Sequence, residues 1–375
     1  MKNYKQTKMK ISFIIGTRPE LIKVAPIIWE AQKRDLDFDV INTAQHKDLL
    51  EPYWETFKVK PTIILNIMRE GQSLAVMASR AIEQIQNYID NSKIRPAIIL
   101  AQGDTNTVMA AAMVSFYNRI KFAHLEAGLR SFDFENPFPE EYNRRIAAIG
   151  ASFHFCPTHF SKNNLVKEGI DERNIHVVGN TIVDALNKIS RNDTFLTADW
   201  NNKDLNALSQ FDSTVLITCH RRENHGKNLT QIIQSIIELA KTNSSIGFVW
   251  TLHPNPQVRS KVLDSELKNV DNVLLTEPLE YSDLLKMLKI SFCAISDSGG
   301  IQEEAPSFQT PVIVLREKTE RPEGVDAGIA FLAGADKKLI KEKFQDVMNK
   351  GIDFSSNPYG DGLSSARVIK ILMEN

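Results

Sequence analysis

Short apolar runs that end in a polar or glycine-rich cluster and then give way to a helical segment recur along this chain. That rhythm narrows the fold more than any other feature. Strands alternating with helices build βαβ units, whose strands pair in parallel and are covered by helices. The first run is KISFII at residues 10–15, followed by Gly16-Thr17-Arg18-Pro19-Glu20 and a helical stretch LIKVAPIIWEAQKR. Pro19 suits a first helical turn, where the missing amide costs no partner. Further strands are predicted at 38–43, 96–101, 122–125, 152–156 and 175–178. After a polar, turn-rich segment at 191–212, read as a surface connection, others follow at 213–218, 246–252, 273–276, 292–295 and 311–315.

The sequence therefore predicts an α/β protein of two Rossmann-like, doubly wound domains facing across a cleft. The boundary is placed at Gly179-Asn180, giving residues 1–179 and 180–362, with a last helix at 363–375 packing back on the first domain. A chain of 375 residues exceeds one compact core and suits two. A net charge of -1 gives no basic field, which argues against nucleic acid as a partner. No apolar run approaches the roughly 20 residues of a membrane span, and the basic start MKNYKQTKMK lacks the apolar stretch of a signal peptide. Cys156, Cys219 and Cys293 are far apart among apolar or aromatic neighbours and read as reduced core thiols of a cytoplasmic protein.

Chemistry is sought at strand exits, because ligands of open α/β sheets sit at the carboxyl ends of the strands. In KFAHLEAGLRSFDFENPFPEEYNRR a buried strand ends at Glu126, and a turn-rich loop then delivers Glu140 at the start of a helix. Both are candidate acid/base groups, whereas Glu141 is read as complementing the helix N-terminus. Asp104 stands in the polar exit QGDTNT of the strand expected to neighbour the one ending at Glu126. Arg18 and Lys23, beside a helix N-terminus offering amides to an anion, read as a phosphate clamp.

In the second half, Ser298-Gly299-Gly300 opens a helix. Its glycines would admit a phosphate, and Glu304 one turn on could accept from a ribose diol. His220, at a strand exit beside Arg221 and Arg222, is a candidate phosphate contact or acid. There is no G-x-G-x-x-G, Walker A loop, H-E-x-x-H or C-x-x-C, and the eight His show no zinc spacing, so no cofactor and no metal are expected. Diphosphate and ribose recognition in one domain, with carboxylates in the other, suits an enzyme of nucleotide sugars.

The stretches GTRPELIK, TAQH, QGDTNT, HLEAGLRS, PFPEEYNR, CHRREN, SDSGGIQEEAP, TERPE and NPYGDG cover nearly the whole chain in order. Together they resemble the non-hydrolysing UDP-N-acetylglucosamine 2-epimerases, a family of the two-domain GT-B fold. The resemblance implies interconversion of UDP-GlcNAc and UDP-ManNAc for bacterial surface polysaccharide, and a homodimer. It implies catalytic roles for Asp104, Glu126, Glu140 and His220. Binding roles fall to Arg18, Lys23, Arg144, His220, Ser298, Gly299, Gly300, Glu304 and Arg321. Leu279 and Leu284 fall at the uracil pocket, where the family often has Gln and Phe, so only main-chain contacts carry over. Gln45, His46 and Gln72 match an activator site for a second substrate molecule. Gly71 departs from the pattern there, standing where activated members place an Arg.

The C2 hydrogen of a sugar is not acidic, since no carbonyl activates it. Without a dinucleotide motif, inversion by elimination of UDP and re-addition is expected over transient oxidation. Rival readings are a 2-epimerase of a modified UDP-sugar, a GT-B glycosyltransferase, a hydrolysing epimerase and a non-enzymatic nucleotide-sugar sensor. The GTRPE opening and the Glu-Ala-Gly-Leu-Arg run argue against hydrolysis. Three intact carboxylates argue against a sensor.

Overall fold

The computed structural model describes residues 9–45, 47–190 and 198–375. The chain forms two compact units. One runs to Ala185 and is completed by Tyr359–Asn375, and the other spans Leu186–Pro358.

The first unit holds seven strands: β1 (Lys10–Ile15), β2 (Asp37–Asn42), β3 (Ile63–Ile64), β4 (Ile98–Gln102), β5 (Lys121–Leu125), β6 (Phe153–Cys156) and β7 (Ile175–Val177). They pair in parallel in the order β3-β2-β1-β4-β5-β6-β7. Every residue of β4 is buried, as a central parallel strand covered on both faces requires. The helix Leu74–Asn91 buries Met77, Ala81, Ile85 and Ile89, residues about one turn apart that form a single apolar stripe. Burying one such Ile contributes about 2 kcal/mol.

Helix Ser364–Glu374 belongs to this unit and lies against helix Arg18–Lys33. The Asp184 carboxylate accepts from the Ser364 and Ser365 amides and from the Ser365 hydroxyl, satisfying the start of that last helix.

The second unit repeats the plan with β8 (Ser213–Thr218), β9 (Ile246–Thr251), β10 (Val273–Thr276), β11 (Ser291–Ser296), β12 (Val312–Val314) and β13 (Ala330–Leu332). The order is β10-β9-β8-β11-β12-β13, again parallel. The preceding segment is less of a surface connection than its polarity predicts. Lys203–Gln210 is a 3-10 helix, and Leu205 and Leu208, eclipsed by their spacing of three, are buried. Residues 191–197 of the same expectation lie outside the described residues.

In each sheet the order of strands turns back on itself once, between β1 and β4 and between β8 and β11. Such switch points part the loops at the strand ends and make the fold's natural binding crevice. Cys156, Cys219 and Cys293 are buried free thiols. Among the described residues no helix is long and apolar enough to cross a membrane.

Candidate active site

In the first unit the register pairs Gln102 with Leu125, so β4 and β5 end side by side and deliver Asp104 and Glu126 at neighbouring exits. Asp104 does not cap the helix that follows. Thr105 does, its hydroxyl accepting from the Val108 amide, which leaves the Asp104 carboxylate for other partners. Arg144 provides them: its Nη2 lies 2.7 Å and its Nε 2.9 Å from Asp104 Oδ2. Asn143 donates to the Asp104 carbonyl at 2.8 Å.

Both residues sit on helix Glu140–Gly150, whose first residue is the third candidate carboxylate. The Arg144–Asp104 pair therefore ties the helix bearing Glu140 to the exit of β4. Glu141 is buried beneath, accepting from the Ser131 and Phe132 amides and pairing with Arg144 and Arg145. It is a brace for the turn-rich loop as much as a helix-end charge.

Glu126 has a φ of +63°, a left-handed conformation that costs a non-glycine residue about 1 kcal/mol and is typical of functional turns. Its carboxylate pairs with the Lys23 ammonium, both side chains 9% exposed. The expected clamp of Arg18 with Lys23 is thus not formed as a pair. Lys23 lies on the buried face of its helix, whereas Arg18 is exposed and lies by Tyr53, 5.6 Å from the ring centroid. The Gly16 and Thr17 amides, expected to meet an anion, are already engaged by the Glu20 carboxylate at 2.5 and 3.1 Å.

Gly16 is required by packing. A Cβ there would lie 2.5 Å from the hydroxyls of both Thr43 and Thr107. His124, two residues before Glu126, bonds through Nε2 to the Gly103 carbonyl at 2.7 Å. Burial lowers its pKa to about 4, so the ring is neutral and Nε2–H is the donor.

In the second unit Asp297, at the exit of β11, is fully buried under the exit of β8. It accepts from the His220 and Arg221 amides, from Asn224 and from His220 Nδ1 at 3.0 Å. Burial acts to raise its pKa, but the His220 bond and charge and the Arg221 amide outweigh it and hold the value at about 2. Ser298 stands at the N-cap position of the helix Gly299–Glu304 without a capping bond from its side chain.

The two glycines differ. Gly300 is exposed, with only the Ser298 hydroxyl near a hypothetical Cβ, at 3.7 Å. Gly299 is buried against Arg321, whose guanidinium would lie 2.6 Å from a Cβ. The glycine expected to admit a phosphate here admits an arginine. Arg321 is held by Glu303 at 2.5 Å and Glu320 at 3.2 Å. The Glu304 carboxylate accepts from the Tyr281 hydroxyl at 3.1 Å.

Leu279 and Leu284 are half-buried, flanking the start of helix Tyr281–Ile290. Gln45 accepts from the Thr107 hydroxyl at 2.9 Å, and Gln72 donates to the Ile67 carbonyl at 3.4 Å. His46 lies outside the described residues. Among the described residues no group of three His, Cys, Asp or Glu is placed to hold a metal ion.

Two site neighbours were not singled out by sequence. His253 stacks on His220 with ring centroids 5.5 Å apart. Glu20 is the second. A polar residue at a strand exit was the available signal for the first, and the Glu of the GTRPE turn for the other. Arg221, named beside His220 in the sequence, is half-buried, and its pKa is lowered by burial and then by the nearby Arg316 and Arg321, the signature of an arginine cluster suited to an anion.

Two parallel α/β units of this kind, each with its polar residues gathered at a switch point, define the GT-B class. A family profile described as UDP-N-acetylglucosamine 2-epimerase matches residues 30–373. The UDP-N-acetylglucosamine 2-epimerase of Neisseria meningitidis serogroup A is 41% identical over 98% of this chain and its own full length. That of Campylobacter jejuni is 40% identical over 97% of each chain. The crystal structure of the Neisseria meningitidis UDP-GlcNAc 2-epimerase bound to UDP-GlcNAc superposes with a TM-score of 0.87 at 39% identity, covering 98% of this chain and all of that one. This chain belongs to the UDP-N-acetylglucosamine 2-epimerase family.

Proposed function

We propose that the protein interconverts UDP-GlcNAc and UDP-ManNAc by eliminating UDP and adding it back, with no cofactor. The observation that carries this reading is the Arg144–Asp104 pair, which holds the helix opening with Glu140 against the exit of β4, beside that of β5 and Glu126. Carboxylates supplied from several elements suit a reaction needing an acid/base group on each face of C2.

One carboxylate takes the C2 proton. The C1–O bond breaks with its electron pair passing to UDP, and C1=C2 forms as 2-acetamidoglucal. A carboxylic acid then delivers a proton to the other face of C2, and the UDP oxygen re-forms the bond to C1. The second unit supplies diphosphate recognition. His220, with Nδ1–H fixed on Asp297, leaves Nε2 for the ligand, while Arg221 and Arg321 oppose the charge that grows on departing UDP. Arg18, Lys23, Ser298, Gly300 and Glu304 complete the proposed binding set, with main-chain contacts from Leu279 and Leu284.

Gln45 and Gln72 are assigned to an activator site. A supply of ManNAc units for surface polysaccharide, and the cytoplasm as the setting, belong to the same reading and rest on the family. So does a homodimer, which is also supported by Phe116, Tyr117 and Ile149, exposed by 66%, 72% and 77% at the ends of two mutually packed helices. Replacing Asp104 by Asn, or Glu126 or Glu140 by Gln, and following UDP-ManNAc by NMR tests the roles. Each variant should lose at least about 100-fold in kcat while still binding UDP. A variant with undiminished kcat removes that residue from the mechanism.

A further inference from the structure

Glu20 is 1% exposed, and no step above uses it. Part of its environment is an ordinary capping box with Thr17. The rest is not. Its Oε1 accepts from the hydroxyl of Thr105, 85 residues away at 2.7 Å, while Oε2 takes the Gly16 and Thr17 amides. The carboxylate therefore spans the switch point, joining the exit of β1 to that of β4. Thr105 directly follows Asp104 and caps the next helix.

Asp104 is thereby gripped from opposite sides. His124 fixes the Gly103 carbonyl, Asn143 the Asp104 carbonyl and Arg144 its carboxylate, while Glu20 fixes Thr105. The second unit has the same device at the same place, Asp297 joining the exits of β8 and β11 beneath His220. Where other doubly wound folds leave the amides of the first turn to a ligand's phosphate, this unit fills them with its own carboxylate.

We infer that Glu20 is a positioning residue for the acid/base chemistry, an internal carboxyl group that clasps Thr105 and so fixes the backbone from which Asp104 acts. The catalytic part of this inference rests on the epimerase reading. The clasp itself does not, and the two are separated by measuring kinetics and backbone protection on the same proteins. The variants are Glu20→Ala, Glu20→Gln and Thr105→Val. Gln keeps an oxygen for the two amides and turns its NH2 toward the Thr105 hydroxyl.

The inference predicts that Glu20→Ala and Thr105→Val lower kcat about 100-fold with KM little changed. It predicts that Glu20→Gln restores activity to within about fivefold of the parent. Amide hydrogen exchange at residues 101–108 should quicken about tenfold in Ala and Val, but not in Gln, with β8 and β11 unaffected. If Glu20→Ala fails to fold, Thr105→Val and Glu20→Gln carry the same comparison. If the parent does not turn over UDP-GlcNAc, the epimerase reading fails while the exchange data still decide the clasp. Unchanged exchange at 101–108 in Thr105→Val overturns the inference, as does a loss confined to KM.

Discussion

Asp297 Oδ1 lies 3.0 Å from His220 Nδ1, and the same carboxylate receives the backbone amides of His220 and Arg221. One buried group thus fixes both the main chain and the ring of His220, and it sets the tautomer, because Nδ1 must carry the hydrogen that Asp297 accepts. Replacing Asp297 by Ala should cost about 3–5 kcal/mol of stability at pH 7, since several donors are left buried without an acceptor. The pH dependence follows from a carboxyl held at about 2, below its usual 3.8. This contribution is present above pH 4 and is lost as pH falls toward 2. Chemical denaturation of parent and variant across pH 2–7 checks it, the gap between the two curves narrowing by about 2 kcal/mol toward the acid end.

Gly299 and Gly300 should separate under the same substitution. Ala at 299 meets the Arg321 guanidinium and must displace it. UDP affinity, measured by calorimetry, should fall roughly tenfold, about 1.4 kcal/mol. Ala at 300 makes only an ordinary contact with the Ser298 hydroxyl, so the fold should keep its Tm, and any loss of affinity there reports close approach of the diphosphate itself.

Glu20 should make stability depend on pH in the opposite sense from Asp297. Burial raises its carboxyl to about 7, only partly countered by the bonds from Thr105, Gly16 and Thr17. A raised folded-state pKa means that stability is greatest below about pH 4.5 and is lost as pH rises through 7. The loss is at most about 3 kcal/mol. Glu20→Gln lacks this titration. It should gain on the parent between pH 5 and pH 8, as followed by urea denaturation.

The Lys23–Glu126 pair offers a double-mutant cycle. Lys23→Met or Glu126→Gln alone removes one buried partner's opposite charge and should cost about 3 kcal/mol, whereas the double variant should cost less than the sum of the two. Additive losses would mean that the pair contributes nothing beyond its separate side chains.

The strand exits were legible because apolar run, polar cluster and helix follow one another locally. So Asp104, Glu126, His220 and Ser298 fall at exits as expected. What sequence order could not show is which side chains those exits share. Lys23 reads as a partner of Arg18 five residues away, yet its helix turns it inward to Glu126. Gly299 reads as room for a ligand, yet Arg321 fills it. Glu20 looks like a routine helix start until the sheet order sets Thr105 beside it. Leu205 and Leu208 were hidden in a polar stretch too short for a periodic signal.

Proton and phosphorus NMR of the protein with UDP-GlcNAc in heavy water reads proton exchange at C2 and retention of UDP together. UDP-ManNAc and UDP-GlcNAc should approach a constant ratio, with deuterium entering at C2 and little net loss of nucleotide sugar, as elimination and re-addition require. Stoichiometric release of UDP with free ManNAc, or epimerisation that keeps the original C2 hydrogen, would contradict that route.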